Sequence, residues 1–310
     1  MPAIKMIQSF WSKPLDNLLS LKYNGGWLER KYYYMSLCFS CLLLKRYYEN
    51  VELVTDTEGK RILIGELGLP YTSTRVDLDG LDPWHSDLGL TAKLVSLQYQ
   101  CEPAIYVESD LFLCDRLSPQ VESGAVVAYG EIGFAPGELN EFMGFVRKNI
   151  PAGNLSAGGS LLGANAGFDL GLLGGNDIRL VSDFAKESLA FLAASGDVIR
   201  RDIMSAVKDV SKYWHDPHPF DIAIAMLESL LLASFAGRHP GKVNIAYSRS
   251  ATNRGKTANF LEMSVKLAHL RIQHNRKRNI DLCVQMEYKF REQFPDYYDR
   301  VIDRMMEGNI

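Results

Sequence analysis

Hydrophobic residues fall in short unbroken runs, and stretches with helical spacing stand between them. AIKMIQSF (3–10) reads as a first strand closed by Lys13-Pro14, and VELVT (51–55) as a second that ends at Asp56. Between them GGW (25–27) opens a long helix to about Tyr48. The turn TDTEGK leads into a short helix, RILIGELG, and Pro70 precedes an extended piece, YTSTRVDL. A helix from about Asp87 to Gln100 is expected to bury Leu90, Leu94, Leu97 and Tyr99. AIYVE (104–108) and GAVVAY (124–129) are further strands. A helix over 178–194, a helical pair over 197–236, late strands KVNIAY and MSVKLAHL, and an amphipathic helix NIDLCVQMEYKFREQF complete the reading.

Strands that are apolar at nearly every position have no solvent face. They predict a mostly parallel central sheet with helices on both faces, an α/β fold. Ligands of such sheets sit beyond the carboxyl ends of the strands, which places Asp56 and the acids after AIYV at one edge. The glycine-rich stretch 151–177 is no linker, because Leu, Phe and Ala interleave with the glycines; close backbone approach or positive-φ turns are expected there. The chain shows no internal repeat and no linker composition.

The chemistry concentrates in PAIYVESDLFL (103–113), where a buried strand ends in Glu108-Ser109-Asp110 and then turns apolar again. Carboxylates at i and i+2 of an extended chain share a face. At the mouth of a buried sheet their repulsion would raise one pKa unless a cation lies between them. A hard divalent ion, Mg2+ or Mn2+, takes such oxygens and completes its shell with phosphate. Lys93, on the helix feeding this strand, either reaches a nucleotide or lies on the surface. Asp56 either reads a base or ribose or caps its own turn. Glu228 is an acid within an apolar helix, facing a substrate or satisfied structurally. Arg276, Lys277 and Arg278 form a basic spot suited to phosphate.

A net charge of −3 gives no global field for nucleic acid. The five cysteines are too sparse and odd in number for a disulfide framework, and Cys38 and Cys41 lie in an apolar run as packing residues. The start lacks a signal-peptide pattern and no apolar stretch is long enough to span a bilayer, so a cytoplasmic location is expected. The HxxH of WHDPHP (His215, His218), flanked by prolines, reads as a rigid loop rather than a metal site.

PAIYVESDLFL resembles the DxD segment of glycosyltransferases with the GT-A fold. Together with QSFWSKP, GGWL, VELVTDTEGKRIL, LPY, FDLGLLGGND, AHLRIQHNRKRN and FPDYY, it is similar to a family of largely uncharacterised bacterial proteins akin to the glycogenin-like retaining transferases. The resemblance implies one GT-A-like domain over 1–310, with 260–310 a strand-helix extension that completes the site. It implies Mn2+ or Mg2+ held by Glu108, Asp110 and His269, with His274 the rival third ligand. Gln8, Ser9, Asp56, Lys93, Ser109, Gly174, Gly175 and Lys277 would contact the nucleoside-diphosphate sugar. Asp169 and Glu228 would face the reacting sugar or the acceptor.

Two departures from that family's pattern stand out: Glu108 replaces the first aspartate, and Asp169 stands where asparagine is usual, unless Asn165 is the true counterpart. The implied activity is a metal-dependent, retaining transfer of the hexosyltransferase type to an unidentified glycan, protein or small molecule. The rival is a catalytically inactive domain that binds a nucleotide or a partner. The apolar first helix also allows a homo-oligomer.

Overall fold

The computed structural model describes residues 4–13, 24–81, 90–133, 144, 166–210, 219–247, 260, 269–272 and 276–310. In chain order the elements are β1 (Lys5–Phe10), α1 (Arg30–Tyr47), β2 (Val51–Thr55), α2 (Thr57–Lys60) continued by a π-helical turn (Arg61–Glu66), β3 (Ser73–Val76), α3 (Leu90–Gln98), β4 (Ala104–Val107) and β5 (Leu111–Leu113). There follow α4 (Pro119–Glu122), β6 (Val126–Gly133), β7 (Ala166–Gly175), α5 (Ile178–Val210), α6 (Pro219–Arg238), β8 (Val243–Tyr247), β9 (His269–Arg271), α7 (Ile280–Gln293) and α8 (Pro295–Met306).

Seven strands form one sheet in the order β3-β2-β1-β4-β7-β6-β8, and β5 pairs with β9 in a second, two-stranded sheet. In the large sheet β7 runs antiparallel to both of its neighbours and every other pairing is parallel. This is the mixed α/β architecture with helices on both faces that the apolar strands predict.

Strand alternation sorts the core into two faces. Ala104 and Tyr106 of β4 pack with α3, α5 and α6, whereas Ile105 and Val107 point to the opposite face, among Met6, Leu44 and Val51. On that opposite side α1 buries twelve of its eighteen residues. Its Phe39 stacks among Phe112, Phe260, Phe290 and Phe294, a cluster joining β5 to the C-terminal helices. The apolar surface expected to meet another subunit is thus covered by α7 and α8 of the same chain. Cys38 and Cys41 are buried free thiols in this cluster, where burial pushes the pKa of both up.

Several expectations change in detail. Leu90, Leu94 and Leu97 are buried, but α3 ends at Gln98 and Tyr99 is 62% exposed beyond it. The helix expected over 178–194 runs on unbroken to Val210, because one glycine (Gly196) within a long helix costs only about 1 kcal/mol. Part of the glycine-rich stretch is strand β7, ten residues long. The terminal helix is followed by another, α8, which starts with Pro295 in its first turn, where the missing N–H has no intrahelical partner to lose. Among the described residues no helix is long and apolar enough to cross a membrane.

Candidate functional site

From β1 the chain winds outward to β2 and β3, and β4 then returns to the other side of β1. The carboxyl ends of β1 and β4 therefore diverge at a topological switch point, where open α/β sheets hold their ligands. Glu108 follows β4 directly. Its N–H donates to the Gly171 carbonyl at 2.9 Å, and its own carbonyl accepts from Leu111 N at 3.0 Å, which turns the chain into β5. Helix α1 holds the turn from behind, through the Ser36 hydroxyl donating to Ser109 O (2.6 Å) and the Ser40 hydroxyl donating to Leu111 O (2.8 Å).

Three cations from distant segments converge on this acidic turn. Lys93 of α3 lies 2.5 Å from Glu108 Oε1 and 3.1 Å from Glu228 Oε2 on α6, and it donates to the Leu170 carbonyl at 3.2 Å. The guanidinium of Arg271 on β9 pairs with Glu108 Oε2 through one terminal nitrogen and with Asp110 Oδ1 through the other. Lys277, just before α7, lies 2.7 Å from Asp110 Oδ2. Asp169 of β7 stands 3.7 Å from Arg271, and its Oδ1 accepts from Gly171 N at 2.9 Å. The ring of charges is nearly dry: Lys93 is 2%, Arg271 11% and Asp169 12% exposed in their side chains.

Burial and ion pairing pull these groups in opposite directions. Burial pushes the Glu108 carboxyl up, but Arg271 and Lys93 outweigh it and hold the group well below the usual carboxylate range. Burial likewise disfavours the Lys93 ammonium, yet Glu108 and Glu228 raise it above an ordinary lysine. Asp169 goes the other way. Its burial, with Glu108 adding to it, pushes its pKa up to about 6 against the opposing Gly171 N–H.

The register of the small sheet decides which C-terminal residue reaches the acids. Antiparallel pairing sets Arg271 opposite Leu111, next to Asp110, and His269 opposite Leu113, two residues further away. His269 instead stacks on the Tyr247 ring with centroids 3.5 Å apart and meets Tyr129 edge-on. Burial lowers its pKa to about 4. His269 is thus not brought to Glu108 and Asp110, and its rival His274 lies outside the described residues, as do His215 and His218.

The other expected site residues divide. Ser9, at the end of β1, shares a 2.9 Å hydrogen bond with the Tyr106 hydroxyl and borders the site. Gln8 is buried and engaged at both ends, donating to Ser40 Oγ and accepting from Tyr71 OH, each at 2.9 Å. Asp56 caps α2: its Oδ1 accepts from Gly59 N at 2.8 Å, while Oδ2 accepts from the Ser12 N–H (3.0 Å) and hydroxyl (2.6 Å). Gly174 and Gly175 pair with Ile105 and Ala104. That is the far end of β4 from Glu108, about 10 to 13 Å away at the rise of a strand.

The arrangement does not fit a resident Mn2+ or Mg2+. Each of the four oxygens of Glu108 and Asp110 already faces a fixed cation. Among the described residues, no group of three or more His, Cys, Asp or Glu is placed to hold a metal ion. Arg271 is the residue that sequence reasoning passed over. The alternation His-Leu-Arg does put residues 269 and 271 on one face of a strand, but only the register says which of them meets the triplet.

A mixed α/β sheet with an interlocked charge cluster at its switch point is the class that fold and site define. Within it, the chain belongs to DUF6734, a family of unknown function whose model matches residues 4–304. No curated protein matches the chain. Among solved structures it is similar to the apo WbbM bifunctional glycosyltransferase, at 10% identity and a TM-score of 0.36 over 78% of this chain. This chain spans 38% of that protein's length. It is similar also to mouse xyloside xylosyltransferase 1 in its apo form, at 11% identity and a TM-score of 0.37, covering 90% of this chain and 98% of that one.

Proposed function

We propose that this protein is a glycosyltransferase that takes a sugar from a nucleoside diphosphate and hands it to an acceptor hydroxyl. One observation carries the reading: Lys93, Arg271 and Lys277, from three separate parts of the chain, meet at the acidic turn after β4. Three converging cations at a sheet's switch point are the equipment for an anionic ligand with a departing phosphate.

In the transfer, the bond from the sugar's anomeric carbon to the diphosphate oxygen breaks, and its electron pair leaves with the diphosphate. The acceptor oxygen bonds to that carbon and gives up its proton. Cations fixed in a water-poor site stabilise the developing diphosphate charge and need no rearrangement at the moment of reaction. Asp169, with a pKa near 6, is the group we assign to orient the acceptor hydroxyl. The proton passes to the departing diphosphate, so that attack and departure share one face of the sugar and configuration is retained. Glu228 holds Lys93 in place, and Ser9 borders the nucleotide.

Isothermal titration with UDP and GDP, followed by a hydrolysis screen of UDP-, GDP- and dTDP-sugars, tests the reading. Binding with slow release of free sugar is the expected result. Binding without hydrolysis or transfer supports the non-catalytic reading instead, which the fully paired Glu108 and Asp110 also favour. Failure to bind any of these nucleotides overturns the glycosyltransferase reading and leaves the partner-binding form of the rival.

A further inference from the structure

We infer that Arg271 takes the place of a divalent ion in this site: donor diphosphate is held by the guanidinium of Arg271 together with Lys277, and its binding needs no metal. The inference rests on the glycosyltransferase reading for the identity of the anion and deepens it by naming what grips the phosphates.

Three observations point the same way. The first is position: the guanidinium fills the bay between Glu108 and Asp110, where an acid-x-acid turn would otherwise gather a cation. The carboxylates thereby become holders of an organic cation. They fix Arg271 by its two terminal nitrogens and Lys277 by its ammonium, so both charges are aimed before any ligand arrives.

The second is the cradle. Strand β7 is reduced to glycine where the guanidinium lies against it, and a Cβ on Gly171 would come within 2.6 Å of Arg271 Cζ and Nε. The backbone N–H of Gly171 is also fastened to Asp169, so this stretch of β7 is fixed as a wall. Glycine at position 171 leaves the space that the guanidinium occupies beside the carboxyl end of β4.

The third is a surplus donor. Arg271 Nε is buried and has no hydrogen-bond acceptor among the described residues. A buried N–H without a partner is costly, and native proteins reserve such groups for a ligand, an ion or water. Guanidinium donors match phosphate oxygens in spacing and plane, which an ammonium cannot do. An anion reaching Nε would supply the missing acceptor.

The test measures affinity of the wild-type protein for UDP and GDP by calorimetry, once in EDTA and once with saturating Mn2+. Equal affinity within about threefold supports the inference, since one charged contact alone is worth about tenfold or more. Binding that appears only with Mn2+ overturns the inference and leaves the glycosyltransferase reading standing. Binding under neither condition overturns that reading and the inference together. In EDTA, Arg271→Gln is expected to weaken binding by about tenfold to hundredfold, with Arg271→Lys between it and wild type. An unchanged affinity in folded Arg271→Gln overturns the inference. Should that variant fail to fold, the wild-type comparison decides.

Discussion

The ammonium of Lys93 lies 3.1 Å from the carboxylate of Glu228, a residue 135 positions further along the chain. It also lies 2.5 Å from Glu108. One buried cation therefore ties α3 and α6 to the acidic turn at the end of β4.

Replacing Lys93 by Met leaves two carboxylates in a low-dielectric setting with one counter-charge fewer. Loss of one partner from a buried pair costs about 3 to 5 kcal/mol, much of it from the stranded charge. The urea-unfolding midpoint should fall accordingly. Lys93→Met combined with Glu228→Gln should cost less than the two single changes added together, because the second change removes a carboxylate that the first leaves with one counter-charge fewer. Additive effects would show that the two residues are not coupled.

The raised pKa of Asp169 predicts a pH signature. Its ordinary value is 3.8 and its folded value about 6, so between those limits the folded protein keeps a proton that the unfolded chain has released. Stability from this group is full below about pH 4 and is lost as pH rises to about 6, by about 3 kcal/mol at about 1.4 kcal/mol per pH unit. Asp169→Asn removes that slope. The stability difference, variant minus wild type, should therefore grow over this window in denaturant titrations. Glu108, held low, acts in the opposite sense, losing its contribution as pH falls below the ordinary glutamate range, but it does so in both proteins and cancels.

Gly174→Ala should strike the sheet and spare the site. Gly174 has φ +156, and a Cβ there would lie 2.2 Å from the Ala104 carbonyl oxygen. The new methyl must separate β7 from β4, at a cost of about 3 kcal/mol or more. Thermal denaturation should show the loss, while nucleotide affinity of the folded protein stays at the wild-type value. A stable variant with weakened affinity would place this glycine in the binding site.

Asp56→Ala should cost about 2 to 3 kcal/mol, since three donors from Ser12 and Gly59 lose one buried acceptor group. Chemical denaturation checks this. If Asp56 instead recognised a nucleotide, the change would appear in affinity with stability intact.

Some of the site was legible because it depends on chain-local facts. The acids of PAIYVESDLFL end a strand whose apolar character needs no partner to be recognised, and two carboxylates one residue apart share a face wherever the strand goes. Where a divalent ion was expected between them, the guanidinium of Arg271 lies instead. Lys93 and Lys277 were legible as charges near that edge, although the partner of each was not.

What was not legible depends on register and on packing between distant segments. His269 and Arg271 look equivalent in sequence. The pairing of β9 with β5 puts Arg271 beside Asp110 and sends His269 to Tyr247. Gln8 looks like a base-reading residue until α1 supplies Ser40 and the loop before β3 supplies Tyr71, which use up both ends of its amide. Gly174 and Gly175 read as ligand glycines, but the antiparallel course of β7 carries them to the opposite end of β4.

The amino-acid sequence alone determined the α/β class, the strand that ends in Glu108 and Asp110, and the burial of α1, because hydrophobic periodicity and strand polarity are properties of neighbouring residues. The tertiary structure decided that the charge between those acids is a guanidinium. A side chain's counter-ion is chosen by whatever the fold brings within a few ångströms, and a shift of the β5–β9 pairing by two residues would have presented the histidine instead.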